Sequence, residues 1–260
     1  MIAARGRLRS GLAVPIVFAA IAVTVFVALG TWQLERRVEK LALIETLDRR
    51  LSAVPVALPD RKLWPQLDRA EDEYRRVRFS AAFIPAAEAL VYAGPSPFPS
   101  DMPGAGYWVF ALARTTSGDL LVVNRGYVPE DVKDTKARAA NEGAANVEVI
   151  GVMRWPQARS YFAPADDPLR NLWFVRDHLA IARAKGWGEV APFYVELEEP
   201  QPPGGLPRPA PLRPNIRNEH LQYAITWYGL AVVLIVMLLF WMRAQRRDAG
   251  YTAAGCFPRR

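Results

Sequence analysis

The chain has 260 residues, 51% of them hydrophobic, and a mean hydropathy of +0.00. That excludes a disordered chain and is oilier than most soluble domains of this length. A formal charge of +7 would suit a nucleic-acid binder if the bases clustered on a folded domain, but they lie on the tails. Arg5, Arg7 and Arg9 stand at one end and Arg243, Arg246, Arg247, Arg259 and Arg260 at the other, while residues 35–220 carry 25 bases and 25 acids.

No charged side chain occurs from Ser10 to Leu34, nor from Leu221 to Met242. As helices these runs reach roughly 37 and 33 Å, against a hydrocarbon core about 30 Å thick. Both read as transmembrane helices. For the first, the basic start leaves a cleaved signal peptide as the competing reading, although the run exceeds the usual ~7–15 residues of such a core. Arg243, Arg246 and Arg247 directly after the second run place its far end in the cytoplasm. Both termini are then cytoplasmic and the segment between the spans is outside.

After the first span, Leu34, Val38, Leu41, Ile44, Leu47 and Leu51 recur at helical steps, which predicts an amphipathic stalk stopped by Pro55 and Pro59. Strands are expected at Arg76–Ile84, Ala89–Tyr92, Tyr107–Ala113, Leu120–Asn124, Val147–Arg154 and Phe193–Leu197. Ser117-Gly118-Asp119 reads as a hairpin turn, making two of these strands antiparallel neighbours. Asn124-Arg125-Gly126-Tyr127-Val128-Pro129 reads as a turn ending a strand, with Arg125 either in an internal salt bridge or against a partner. A helix is expected over Asp177–Ala184, with His178 on its partly exposed side. Seven prolines between residues 200 and 214 predict an extended linker of ~45 Å.

The expected fold class is α+β: two transmembrane helices flanking one extracytoplasmic mixed α+β domain that contains an antiparallel sheet. Its parts are a cytoplasmic basic tail (1–10), transmembrane helix 1 (11–34), a helical stalk (35–54), the α+β domain (55–199), a Pro-rich linker (200–219), transmembrane helix 2 (220–242) and a second cytoplasmic basic tail (243–260). The lone cysteine, Cys256, lies in that last tail, and the exported segment has neither a disulfide nor a Cys-x-x-Cys pair.

Chemistry-bearing residues concentrate near the outer end of the second span. If Asn218 caps that helix, His220 falls in its first turn, where the helix dipole disfavours a protonated imidazole. The neutral ring is the metal-binding form. His220, Tyr223, Ala224 and Trp227 share one helical face, a surface suited to ligating a haem iron and packing its macrocycle. Interfacial anchoring explains the same residue types. Arg36, Arg37, Lys40, Arg213 and Arg217 fit haem propionates or lipid phosphates equally. Trp32 and Gln33 read as an interface anchor and a polar terminus. Ala20, Thr24 and Ala28 form a small-residue stripe open to the second span or to a partner helix. No Gly-x-Ser-x-Gly, His-Glu-x-x-His or Walker motif occurs. Asp166-Asp167 and Glu196, Glu198 and Glu199 read as solvated acids, and nothing specifies an enzyme.

Three segments together resemble the surfeit locus protein family of cytochrome c oxidase assembly factors: Leu29-Gly30-Thr31-Trp32-Gln33-Leu34-Glu35-Arg36-Arg37 with Lys40, then Val123–Pro129, and Arg217-Asn218-Glu219-His220-Leu221-Gln222-Tyr223 running into Thr226-Trp227-Tyr228-Gly229-Leu230. Phe162-Ala163-Pro164 through Asn171, and Arg176-Asp177, are similar as well, so the likeness covers about residues 28–232. It implies a bacterial inner-membrane protein with a periplasmic domain that helps build haem-copper oxidase, with the catalytic subunit as partner and haem a synthase and membrane lipid as further partners. Haem a would be transient cargo, with His220 as iron ligand and Tyr223 and Trp227 beside it. Trp32, Arg36 and Lys40 would also face the cargo, and Arg125 and Gly126 would form a partner contact. The rival expectations are a structural chaperone that never touches haem and a tethered enzyme, the latter requiring His178 in a cleft beside a carboxylate.

Overall fold

The computed structural model describes residues 3–133, 146–202, 204–210 and 218–254, with side chains over residues 13–247 of those segments. Pro203, Pro211, Arg213, Pro214, Arg217, Cys256, Arg259 and Arg260 lie outside the described residues, as do the side chains of Arg5, Arg7 and Arg9. The chain divides into two compact units, Met1–Glu45 with Asn215–Arg260, and Thr46–Pro214.

The first unit is a pair of helices, the body of α1 (Ala3–Ser52) and a later helix, His220–Ala254. Ala13–Ser52 and His220–Arg247 are each long and apolar enough to cross a membrane. Pro15 lies inside α1, more than three turns from its start, where its missing N–H removes one bond of the helical ladder. Phe18, Ile21, Val25, Ile225, Val232, Met237 and Phe240 are exposed, an apolar surface that only lipid or another protein satisfies.

Where the two helices meet, the contact residues are spaced three, four and seven apart: Ala19, Phe26, Gly30 and Gln33 on α1, with His220, Ala224, Trp227, Tyr228 and Ala231 opposite. Gly30 lets the Tyr228 ring lie flat on its backbone: a Cβ there would meet ring carbons at 2.9 Å. Thr31 Oγ1 donates back to the Val27 carbonyl, so the Tyr228 hydroxyl donates to Thr31 Oγ1 at 3.0 Å. Of the two neighbours open to the small-residue stripe, the second span is not the one it meets: Ala20, Thr24 and Ala28 are exposed, and the seam runs one face over.

The second unit starts with the last turns of α1. Leu47 and Leu51 are buried while Leu34, Val38 and Leu41 remain exposed, so the apolar stripe of the stalk serves the domain only at its end. Arg50 donates to the carbonyls of Ala70 and Glu73, both at 2.8 Å, and Arg76 donates to that of Ala53 at 2.9 Å.

The strands are β1 (Val56–Ala57), β2 (Arg76–Pro95), β3 (Ala105–Thr115), β4 (Leu120–Pro129), β5 (Val147–Arg154), β6 (Leu172–Trp173) and β7 (Val190–Glu199), with α2 (Arg69–Asp72) and α3 (His178–Lys185) between them; the helix His220–Ala254 is α4. The path β2-β3-β4-β7-β5 returns to β2, which pairs with β5 along its first half and with β3 along its second. A ring of strands leaves no long free edge. Neighbours are antiparallel except β4–β7, and β1 and β6 add parallel pairs to β2.

Alternation along the strands feeds two large cores and a small third cluster of Leu90, Tyr107, Val109 and Val128. Val77, Phe79, Leu121, Val123, Val149, Met153, Phe193 and Val195 belong to one, which draws on β2, β4, β5 and β7, with Ala113 from β3. Val91, Trp108, Phe110, Val122 and Tyr194 belong to the other, which Ile181 and Ala182 of α3 cover. β3 and β4 are therefore buried on both faces.

Three expectations change. The strands read as Arg76–Ile84 and Ala89–Tyr92 are one strand. Its register jumps between the pairs Phe83–Ala113 and Glu88–Ala111, because Pro85 cannot donate to the ladder and Ala86 takes φ +60°. Asn124–Pro129 is no turn: β4 continues through it with a bulge between the pairs Phe110–Asn124 and Trp108–Tyr127. Nor do residues 200–210 lead straight away from the domain. Arg208 exchanges both backbone hydrogen bonds with Tyr127 at 2.7 and 2.9 Å, Pro202 and Pro207 are buried, and Ala210 packs on the second core.

Candidate functional site

The helix pair brings His220 to Gln33. Donation from His220 Nδ1 to Gln33 Oε1 spans 2.7 Å between residues 187 apart in sequence. Since an amide oxygen only accepts, the proton lies on Nδ1. In the neutral ring Nε2 then bears the lone pair, and among the described residues it has no hydrogen-bond partner. His220 is half-buried and lines a cavity of about 260 Å³ together with Gln33, Glu219 and Tyr223.

Other sequence-selected residues are placed differently. Tyr223 is 53% exposed at the cavity rim. Trp227 lies one turn further along and stacks on Phe26, with ring centroids 5.7 Å apart and planes 28° from parallel. It therefore belongs to the helix seam and does not line the cavity, so the imagined platform of two rings reduces to one. Trp32 is 50% exposed, Arg36 is exposed and paired with Glu39 on its own helix, and Lys40 is half-buried. None of the three is among the described residues lining the cavity. Asn218 does not cap α4 through its carbonyl oxygen, which is buried without a partner. The first helical bond runs from Tyr223 N–H to the Glu219 carbonyl, at 3.3 Å.

Arg125 and Gly126, expected at a partner contact, are inside the β domain. Arg125, 4% exposed, reaches Glu88 on β2 at 3.2 Å and covers the Phe83 ring at 4.9 Å. Gly126 holds φ +129°, and a Cβ there would lie 2.2 Å from the Arg208 carbonyl oxygen. The bulge turns Arg125 across the sheet, and the returning chain closes over the glycine.

His178 is fully buried, not partly exposed. Its Nε2–H donates to the Ala191 carbonyl at 3.0 Å and its ring packs against Tyr194. Burial pushes its pKa down to about 4, and that of the Tyr194 hydroxyl up to about 12. Asp177 is spent capping α3, accepting from the Leu179 and Ala180 amides, so the histidine is enclosed by core and not set in a cleft. The acids are also less solvated than expected. Glu196 is buried between Arg154 and Arg176, each at 3.1 Å, Glu198 takes a two-pronged contact from Arg76, and Asp166 holds Arg159 and the Phe174 amide. Among the described residues no group of three or more His, Cys, Asp or Glu is disposed to hold a metal ion.

Gln33 is the site residue that sequence reading missed. A glutamine ending an uncharged run reads as a polar terminus, and only the pairing of two distant helices gives it a partner.

The SURF1 family model matches residues 20–232 of this chain. A SURF1-like protein of Monosiga brevicollis is 34% identical over 236 residues, covering 86% of both chains. Surfeit locus protein 1 of Homo sapiens is 34% identical over 222 residues, 81% of this chain and 71% of the human one. The Takifugu rubripes protein of the same name is 32% identical over 224 residues, 80% of this chain and 89% of its own.

Proposed function

This chain belongs to the SURF1 family, and on that premise we propose that it is a membrane-bound assembly factor for haem-copper cytochrome c oxidase. It holds haem a at the periplasmic face of a bacterial inner membrane and assists its insertion into the catalytic subunit, with haem a synthase as the donor. The observation that supports the haem reading is the His220 imidazole, held through Nδ1 by Gln33 in the lining of a cavity. Neutral imidazole with one nitrogen tied to a neighbour is the usual state of a metal-ligating histidine.

The cavity fits a carrier. At about 260 Å³ it falls below the roughly 300–1,000 Å³ of a pocket that encloses its ligand, so it admits an edge of the macrocycle and leaves the rest outside. Exposed Tyr223 and Trp32 offer flat apolar surface to that remainder, and Arg36 and Lys40, beyond Gln33 on α1, offer cations for the propionates. Cargo gripped on one side leaves as readily as it arrives. The two apolar helices hold this rim at the bilayer, and the charge asymmetry of the tails supports cytoplasmic termini with the β domain outside.

The test is the absorption spectrum of the full chain, purified in detergent from cells that make haem a. A Soret band is expected in the wild type and its loss in His220→Ala, with circular dichroism unchanged. A colourless wild type that still co-purifies with oxidase subunits would leave only the scaffolding role. A band undiminished in His220→Ala would remove His220 as the ligand.

A further inference from the structure

We infer that Gln33 is a positioning residue that sets how strongly His220 holds its cargo: its amide oxygen fixes the imidazole tautomer and limits the donor strength of Nε2 to a level that permits release. The inference rests on the reading of His220 as iron ligand and goes one step further, to the residue that governs it.

Nδ1 and the Gln33 oxygen are 2.7 Å apart in a half-buried setting. A hydrogen bond partly withdrawn from water is stronger and better oriented than an exposed one. It does two things to the ring. It keeps the proton off Nε2, so the lone pair there is available without a tautomer change. It also stops rotation about the Cβ–Cγ bond, so the lone pair keeps one direction.

The kind of acceptor matters as much as its presence. A carboxylate accepting from Nδ1 draws the proton towards itself and makes the ring a stronger donor to a metal, whereas an amide cannot ionise and polarises the ring less. A glutamine therefore gives an oriented ligand of moderate strength. A glutamate in its place would give a tight one, and an apolar residue an unoriented one. The placement of Gln33 is itself constructed: one turn before it, Gly30 takes the Tyr228 ring and Thr31 takes the Tyr228 hydroxyl, which fixes the register of α1 against α4.

The experiment uses the full chain in detergent, prepared free of pigment and titrated with haemin, comparing wild type, Gln33→Leu, Gln33→Glu and His220→Ala. Circular dichroism and melting curves report folding. Gln33→Leu should weaken binding by about 10- to 100-fold, the usual effect of losing such a partner. Gln33→Glu should bind at least as tightly as wild type, release haemin to apomyoglobin more slowly and shift the ferric/ferrous midpoint to a more negative potential. A residue that merely packs would not move the potential, and both substitutions would then weaken binding alike. That outcome overturns the inference, as does wild-type affinity in both Gln33 variants while His220→Ala loses binding. If His220→Ala itself binds as wild type does, the ligand reading fails and this inference falls with it.

Discussion

Gly126 shows how much a single missing side chain supports. Its φ of +129° and the Arg208 carbonyl 2.2 Å from any added Cβ leave alanine no tolerable position. Gly126→Ala should therefore cost more than about 2 kcal/mol, read as a lower denaturation midpoint of the full chain in detergent; an unchanged midpoint would contradict the bulge geometry. His178 supports a pH prediction. Its folded pKa of about 4 lies below the unfolded value of 6.5, so between those limits the unfolded chain binds more protons. Its contribution is complete above pH 6.5 and is lost as pH falls towards 4, by roughly 3 kcal/mol at most. His178→Gln, which keeps a donor for the Ala191 carbonyl, should flatten the stability curve across that window. A slope unchanged by the substitution would show that other groups cause it. Sequence reading put His220 in the first turn of the second apolar helix, where it lies, because an uncharged run beside it marks its position along the chain. It misplaced His178, because an eight-residue helix does not announce which face a ring of strands will cover.

At the level of elements, register is the controlling quantity. Gly30, one turn before Gln33, sets the approach of α1 to α4 through the Tyr228 ring. Gly30→Leu should separate the helices and weaken haemin binding by about tenfold or more, the lower range for loss of a ligand's partner; undiminished affinity would mean the register is held elsewhere. In the β domain the Arg125–Glu88 pair joins the bulges of β4 and β2. Arg125→Ala should cost about 1.5–3 kcal/mol by removing a charge-assisted hydrogen bond between a buried guanidinium and the part-buried Glu88 carboxylate, and the double replacement Arg125→Met with Glu88→Met should recover part of it. Equal stability of single and double variants in denaturant titration would contradict that account.

The strand positions were legible because β3, β4, β5 and β7 are short apolar runs between glycines, prolines and acids, and the Ser117-Gly118-Asp119 hairpin carried its own signature. The bulges were not. Pro85 and Gly126 are breakers by local rule, and only the pairing of β2 with both β3 and β5, and of β4 with β3 on either side of the glycine, explains why the strands continue through them. The small-residue stripe Ala20-Thr24-Ala28 lies off the face that meets α4, and a four-residue repeat does not say which neighbour it meets.

Over the whole molecule, charge and apolarity divide the labour. In the proposed topology, with basic tails inside and the β domain outside, protease added to spheroplasts should reach only residues 35–220, and reporters fused to either end should stay inside. Cleavage at the tails of intact spheroplasts would reverse the orientation. The proposed function depends on one ring at the lip of the second helix, and the chain's two histidines allow a clean reading of it. The most direct measurement is resonance Raman spectroscopy of the ferrous haem-loaded chain labelled with 15N-histidine. An iron–imidazole stretching band that shifts with the label, persists in His178→Gln and vanishes in His220→Ala is the predicted result. A label-sensitive band that survives in His220→Ala, or no such band in the wild type, would contradict it.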